Sequence, residues 1–119
     1  MNFSKKSTET ETYVNDEVSL EIKNDSIDNS GLVLLISNKT NTDLTYDSTY
    51  YIEQKKNGVW YSSDNEQYFN ALAILLESKA TNEFEVDFET TLPQGEYRII
   101  KSINVSTGSI PLMVDFKIS

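Results

Sequence analysis

The chain has 119 residues, a formal net charge of −9, and neither cysteine nor histidine. This length suits one domain with its own core, and hydrophobic residues at 38% with charged residues at 24% are typical of a globular chain. The acidic balance argues against nucleic-acid binding, because phosphate recognition needs clustered lysine and arginine.

The first residues, "MNFSKKSTETETYVND", are polar and contain few apolar side chains. Such a stretch buries too little surface to offset the entropy lost on ordering, so we expect a flexible polar tether over residues 1–16 and a domain over residues 17–119. A frayed terminus would have the same composition. The two lysines near the start precede no apolar segment, so the stretch does not have the pattern of an export signal.

Two segments after residue 17 have the patterns of β-strands. Val18, Leu20 and Ile22 alternate with polar residues, as in a half-buried strand. The run "GLVLLIS" that starts at Gly31 is apolar on both faces, which predicts a central strand.

The polar segment between these strands, "NDSIDNSG", resembles a calcium loop only superficially. An EF-hand loop needs oxygen ligands at alternate positions, and counting from Asp25 the third position is Ile27. Asn and Asp are also the residues that tight turns select. We therefore expect a turn here and no metal site, and the sequence leaves calcium binding at the other acidic loops open.

The next segment, "YYIEQKKNGVWY", contains an Asn57-Gly58 pair that predicts a β-hairpin. A two-residue loop would place Trp60 opposite Lys55, whereas a three-residue loop ending at Gly58 would place Trp60 on the face of Ile52. The second register buries more apolar area, at about 25 cal/mol per Å², and a one-residue slip reverses every side chain. We therefore expect the three-residue loop, with Trp60 in the core.

The segment "YFNALAILLESKA", residues 68–80, is ambiguous. Phe69, Leu72 and Leu76 have helical spacing, but residues 71–76 also read as a short buried strand. Because strands are predicted on both sides, we expect a strand.

The last third of the chain alternates clearly. Phe84, Val86 and Phe88 are separated by acidic residues, which predicts a strand with a solvated acidic face, and a similar alternation runs from Leu112 to Ile118. In all, about seven to nine short strands separated by turns predict an all-β, antiparallel Greek-key sandwich.

The stretch "LPQGEYRII" places Tyr97 two residues after Gly95, at the start of a strand. In Greek-key sandwiches a tyrosine at this position packs in the core, and its hydroxyl binds the backbone of the preceding loop. Pro93 and Gly95 suit the turn that this requires. We assign a structural role to Tyr97, together with Trp60 and Gly58 of the hairpin.

Three segments together resemble a bacterial immunoglobulin-like (Big-type) domain family of Gram-positive, largely surface-associated and secreted proteins. They are "YYIEQKKNGVWY", "NEFEVDF" and "LPQGEYRIIKSI", and the resemblance covers roughly residues 17–103. Family members commonly carry a tryptophan and a short insertion where this chain has "FETT", which leaves the bend before Leu92 open.

The resemblance implies an immunoglobulin-like β-sandwich that is a non-enzymatic spacer or protein-interaction domain of an exported bacterial protein. It implies a location outside the cell or on the surface of a Gram-positive bacterium, and a protein or cell-surface component as partner. No catalytic residue is implied. We expect no cofactor, no small-molecule ligand, no nucleic acid and no membrane span within the chain.

The residues themselves agree with a non-enzymatic function. Without histidine and cysteine, the common nucleophile-base pairs and zinc sites are missing, and no phosphate loop or dinucleotide motif occurs. The alternative is a carbohydrate-binding module, because exposed aromatic rings can stack on sugars. The candidate stacking residues are Tyr50, Tyr51, Tyr61 and Tyr68.

Overall fold

The computed structural model describes residues 2–63 and 72–119, and every helix or strand within them is a β-strand. These strands form two antiparallel sheets, one of seven strands and one of three. They are β1 (Phe3–Lys6), β2 (Val18–Ile22), β3 (Gly31–Asn38), β4 (Leu44–Tyr46), β5 (Tyr51–Lys56), β6 (Val59–Ser63), β7 (Ile74–Leu76), β8 (Thr81–Asp87), β9 (Gly95–Val105) and β10 (Gly108–Ile118).

The larger sheet is organised around β9. This strand pairs with β10 along its whole length, and on its other side with β5 at residues 96–100 and with β4 at Asn104. β6 and β1 extend the sheet beyond β5, and β7 extends it beyond β4. The smaller sheet has the order β2-β3-β8. The predicted all-β sandwich and the central position of β3 are confirmed.

The core lies between the two sheets and follows the two-residue alternation of the sequence. Leu34 and Ile36 of β3 are fully buried, as are Ile99 and Ile103 of β9. At about 25 cal/mol per Å² of apolar surface, each such side chain contributes about 1.5–3 kcal/mol on burial. On the opposite face of β8, the acidic side chains at positions 83, 85 and 87 are exposed, as predicted.

The register predicted for the hairpin is wrong. Lys55 pairs with Trp60, so the loop is the two-residue Asn57-Gly58 turn, with φ of 52° and 78° at those residues. These angles fit a type I′ turn, whose twist matches that of the flanking strands. Trp60 therefore lies on the outer face of the seven-stranded sheet. The prediction assumed that only the inner face buries apolar area, whereas part of the outer face is covered as well.

The outer face is covered by residues that the composition assigns to a flexible tether. This prediction is wrong for Phe3–Lys6, which form β1 at the edge of β6. Residues 7–13, here called the strap, then cross the sheet. At one end the Ser7 amide donates to the Trp60 carbonyl (3.0 Å), and at the other the Met113 amide on β10 donates to the Thr12 carbonyl (2.9 Å). The prediction of a tether from polar composition fails here because the residues that order β1 and the strap come from distant parts of the chain.

The ambiguous segment forms a strand where it is described. Ile74–Leu76 make up β7, which pairs with β4, while residues 64–71 lie outside the described part. The bend left open before Leu92 is held against the loop after β2: the Leu92 amide donates to the Asn29 carbonyl (2.9 Å), and the Phe88 amide donates to the Ser30 carbonyl (3.0 Å).

Candidate functional site

A buried ion pair lies beneath the strap, on the outer face of the seven-stranded sheet. Arg98 of β9 stands opposite Glu53 of β5, and the two residues are 1% and 2% exposed. The Arg98 Nε and an Nη donate to Glu53 Oε1 at 2.8 and 2.6 Å. A carboxylate is required here because an unpaired guanidinium would lose several kcal/mol of hydration on burial.

The strap and the hairpin complete the surroundings of Arg98. Its guanidinium carbon lies 4.4 Å from the centre of the Trp60 ring, a cation–π contact. The Nη that contacts Glu53 also lies 3.4 Å from the Ser7 hydroxyl. The remaining Nη lies 3.5 Å from the Tyr13 hydroxyl, and Tyr13 donates to Asp115 at 2.8 Å. Burial alone would lower the pKa of Arg98, but the contacts with Tyr13 and Glu53 outweigh it and raise the pKa.

A cavity of about 250 Å³ lies between the strap and the sheet, beside the ion pair. Ile100 and Tyr51 give it apolar surface, and Ser62 and Glu53 give it polar groups. Both contacts of Glu53 with Arg98 use Oε1, and Oε2 has no hydrogen-bond partner among residues 2–63 and 72–119. The cavity is therefore lined by a carboxylate, a hydroxyl and an aromatic side chain.

The structure does not bring the predicted stacking residues together. Tyr50 is buried in the core, where its hydroxyl donates to the Asp87 carbonyl (2.6 Å), and burial raises its pKa. Tyr61 packs against the same core from β6. Tyr51 points to the outer face and is 53% exposed. Tyr68 lies outside the described residues. Tyr50, Tyr51 and Tyr61 therefore do not form a shared platform.

Tyr97 makes the contact that defines a tyrosine corner. The residue is fully buried, and its hydroxyl donates to the Pro93 carbonyl at 2.6 Å. Its ring stacks on Phe116 at 5.5 Å and meets Phe3 edge-on at 5.7 Å. Burial raises its pKa, so the hydroxyl keeps its proton and remains a donor. The corner thus joins the loop before β9 to the core.

The two predicted glycines serve different local needs. At Gly58 the φ of +78° lies in the left-handed region, and nothing lies within 4 Å of an added Cβ, so the backbone angle alone favours glycine. At Gly95 the need is close approach, since a Cβ would lie 3.1 Å from the Gln54 amide nitrogen and 3.5 Å from the Tyr97 ring.

Comparison with known families agrees with this architecture. The family model of the bacterial Ig-like domain matches residues 7–117. The chain belongs to this family. Neither the comparison with curated proteins nor that with solved structures found a match. Ig-like domains of this type are generally non-catalytic and typically occur in extracellular or surface proteins.

The core of this Ig-like domain contains one cation that the sequence reasoning missed. Lys101 is fully buried on the inner face of β9, and its ammonium donates to the carbonyls of Asp47 (2.5 Å) and Thr49 (2.7 Å). It also lies 5.0 and 4.6 Å from the centres of the Tyr46 and Phe84 rings. Burial lowers the pKa of Lys101 to about 8, although the Asp47 carboxylate opposes the shift.

The sequence held a signal for Lys101 but not for the ion pair. Tyr97, Ile99 and Ile103 occupy the inner positions of β9, and the two-residue period places Lys101 among them. Arg98 is predicted to face outward by the same period, but its burial depends on the strap. Its pairing with Glu53 depends on the register between β5 and β9, and Glu53 lies 45 positions earlier in the chain. No local pattern contains that information.

The acidic turn between β2 and β3 is held by its own side chain. Asp28 Oδ1 accepts from the hydroxyl and amide of Ser30 (2.7 and 2.8 Å) and from the Gly31 amide (3.1 Å). The Ser30 hydroxyl is the main cause of the lowered pKa of Asp28. Among residues 2–63 and 72–119, no group of three or more acidic side chains could hold a metal ion.

Residues 2–63 and 72–119 contain no helix that is long and apolar enough to cross a bilayer.

Proposed function

We propose that this chain is a non-enzymatic immunoglobulin-like module that serves as a spacer or protein-interaction domain of an exported bacterial protein. The family match over residues 7–117 carries the proposal. The arrangement of the charged groups supports it. Arg98 and Lys101 are occupied in holding the strap and the loop before β5, so these buried ionisable groups serve the fold.

The proposal places the domain outside the cell or on the surface of a Gram-positive bacterium, with a protein or another surface component as its partner. The absence of cysteine from the whole chain is compatible with an oxidising or a reducing environment. The net charge of −9 also disfavours non-specific aggregation of neighbouring copies.

Cell-surface labelling tests this location. Antibodies raised against the folded domain should label intact cells of the source bacterium, and protease added outside the cells should remove the label. A cytosolic protein of the same cells provides the control for lysis. Recovery of all the domain in the cytosolic fraction, protected from external protease, would contradict the proposal.

A second candidate is carbohydrate binding, in the cavity beside the strap instead of on a row of tyrosines. The supporting observation is that Tyr51, which is 53% exposed, lines this cavity together with the buried carboxylate of Glu53. Because Arg98 already neutralises that carboxylate, the matching ligand is an uncharged sugar that places a hydroxyl on Glu53 Oε2 and a ring face on Tyr51.

Titration of the folded chain with a panel of neutral sugars, followed by NMR, tests this candidate. We expect shifts confined to the cavity, and their loss in Tyr51→Ala. Leu75→Ala is the matched control, because Leu75 is equally exposed (52%) on a different strand. A panel without any saturating shift, or a response that Tyr51→Ala leaves unchanged, would remove this candidate.

A further inference from the structure

We propose that β1 is an exchangeable strand, and that the edge of β6 accepts β1 from a second copy of this chain to form a symmetric dimer. The proposal does not depend on the spacer function, because the partner is the same chain. It starts from the position of β1, which lies N-terminal to the segment that matches the family model. β1 is an edge strand, and within the described residues it pairs only with β6.

β1 is held by one apolar anchor and by backbone pairing. Phe3 is 3% exposed and meets the Tyr97 ring edge-on. Lys56 Nζ donates to the Phe3 carbonyl (2.6 Å), and the Ser62 hydroxyl donates to the Lys5 carbonyl (3.1 Å). An extended segment that adds to a sheet edge and places one side chain in a pocket is a recurrent mode of strand recognition.

Each of these contacts joins β1 to a residue at least 53 positions later in the chain. They can therefore form equally well with β6 of another copy. What restricts β1 to its own chain is the connection to the body of the domain, through the strap.

The strap contains a suitable hinge. Residues 8–11, Thr-Glu-Thr-Glu, are all exposed, while Ser7 on one side and Tyr13 on the other contact Arg98. Four extended residues span about 13 Å, enough to lead β1 away from its own sheet. Residues 12 and 13 keep their contacts with β10 in both arrangements.

The concentration of the chain decides whether β1 pairs with its own β6 or with β6 of a second copy, since both arrangements have the same contacts. A short flexible connection gives the intramolecular strand an effective concentration on the order of millimolar. Exchange should therefore be rare in dilute solution and common when the chain itself approaches that concentration. The closed dimer is two-fold symmetric, so it stops at two copies.

Cysteine trapping tests the exchange in the complete chain, which has no cysteine of its own. Lys5 and Ser62 are directly paired across β1 and β6, at the separation that a disulfide needs. One copy carries K5C and a second, size-tagged copy carries S62C. The two are mixed and oxidised at about 10 μM, well below the effective concentration of the intramolecular strand, and at about 1 mM, close to it. Both mixtures contain about 1 M salt, which screens the charge repulsion between copies.

The matched control is a mixture of N104C and S109C copies. These positions are also directly paired, and both are exposed, whereas Ser62 is half-buried. They lie within the β9-β10 hairpin, which cannot be exchanged without unfolding the domain. We expect the K5C/S62C heterodimer to exceed the control heterodimer at least tenfold at the higher concentration, and to approach the control at the lower one. A yield equal to the control at both concentrations, or one that does not rise with concentration, would overturn the proposal.

Discussion

The two faces of β9 bury cations in opposite ways. Arg98 lies on the outer face under the strap, and a carboxylate neutralises it. Lys101 lies three positions later on the inner face, between the sheets, and its direct partners are two backbone carbonyls and two aromatic rings. The carboxylate of Asp47 acts on Lys101 only through its field.

The consequence is visible in the pKa values of the two groups. Desolvation opposes the charged form of both, but for Arg98 the partners outweigh it, whereas for Lys101 the pKa falls to about 8. A full opposite charge thus keeps a buried cation charged at any physiological pH, while carbonyl dipoles and ring faces compensate only in part. The contribution of Arg98 to stability should therefore depend strongly on Glu53, and that of Lys101 should depend on pH.

Removing the charge of Glu53 should have the largest effect. Glu53→Gln keeps the shape of the side chain but leaves Arg98 buried without a counter-ion, and we expect a loss of about 3–5 kcal/mol in the free energy of unfolding. Urea denaturation measures it. The control is Glu83→Gln, which breaks the exposed pair with Lys23 and should cost less than about 1 kcal/mol. Equal losses would show that burial does not distinguish the pairs.

Lys101→Met should remove the pH dependence of stability that the buried ammonium of Lys101 causes. Between pH 8 and about 10.5 the unfolded chain holds the Lys101 proton and the folded chain has released it, so raising the pH stabilises the wild type. Relative to the variant, the wild type should gain up to about 3 kcal/mol across this window. The raised tyrosine pKa values affect both proteins alike. Denaturation at several pH values measures the difference, and a constant difference would contradict the shift.

Tyr97→Phe provides the neutral reference on the same strand. The Pro93 carbonyl would lose its buried donor, which should cost about 1–3 kcal/mol without pH dependence below pH 9. Tyr61→Phe is the control, because within the described residues the Tyr61 hydroxyl makes no hydrogen bond. Unchanged denaturation midpoints for Tyr97→Phe would refute the corner assignment.

The smallest loss of stability is expected at the Asn57-Gly58 turn, whose register places Trp60 on the same face of the sheet as Arg98. Gly58→Ala puts a side chain at a φ of +78° without any clash, so it should cost about 1 kcal/mol through backbone strain alone. A Val14→Ala variant, at a side chain that is 82% exposed, provides a baseline for thermal unfolding. A loss well above that size would show that the substitution disturbs the contact between Trp60 and Arg98.

Several elements were predictable because their signals are local. The alternation in Val18–Ile22 and Thr81–Asp87, the Asn57-Gly58 turn and the loop before Tyr97 each contain their own evidence within a few residues. The hairpin register was not predictable in this way. Its competing registers differed in which face is buried, and the strap that covers the outer face comes from the other end of the chain.

The amino-acid sequence by itself determined an all-β chain, its turns, and a tyrosine pinned at the entry of β9, because two-residue periodicity and turn chemistry are properties of neighbouring residues. Only the tertiary structure decided that polar residues near the N-terminus order into a strand and a strap, and that Arg98 meets Glu53. These outcomes depend on contacts between residues that are far apart in the chain, where no local pattern sets the balance between hydration and burial.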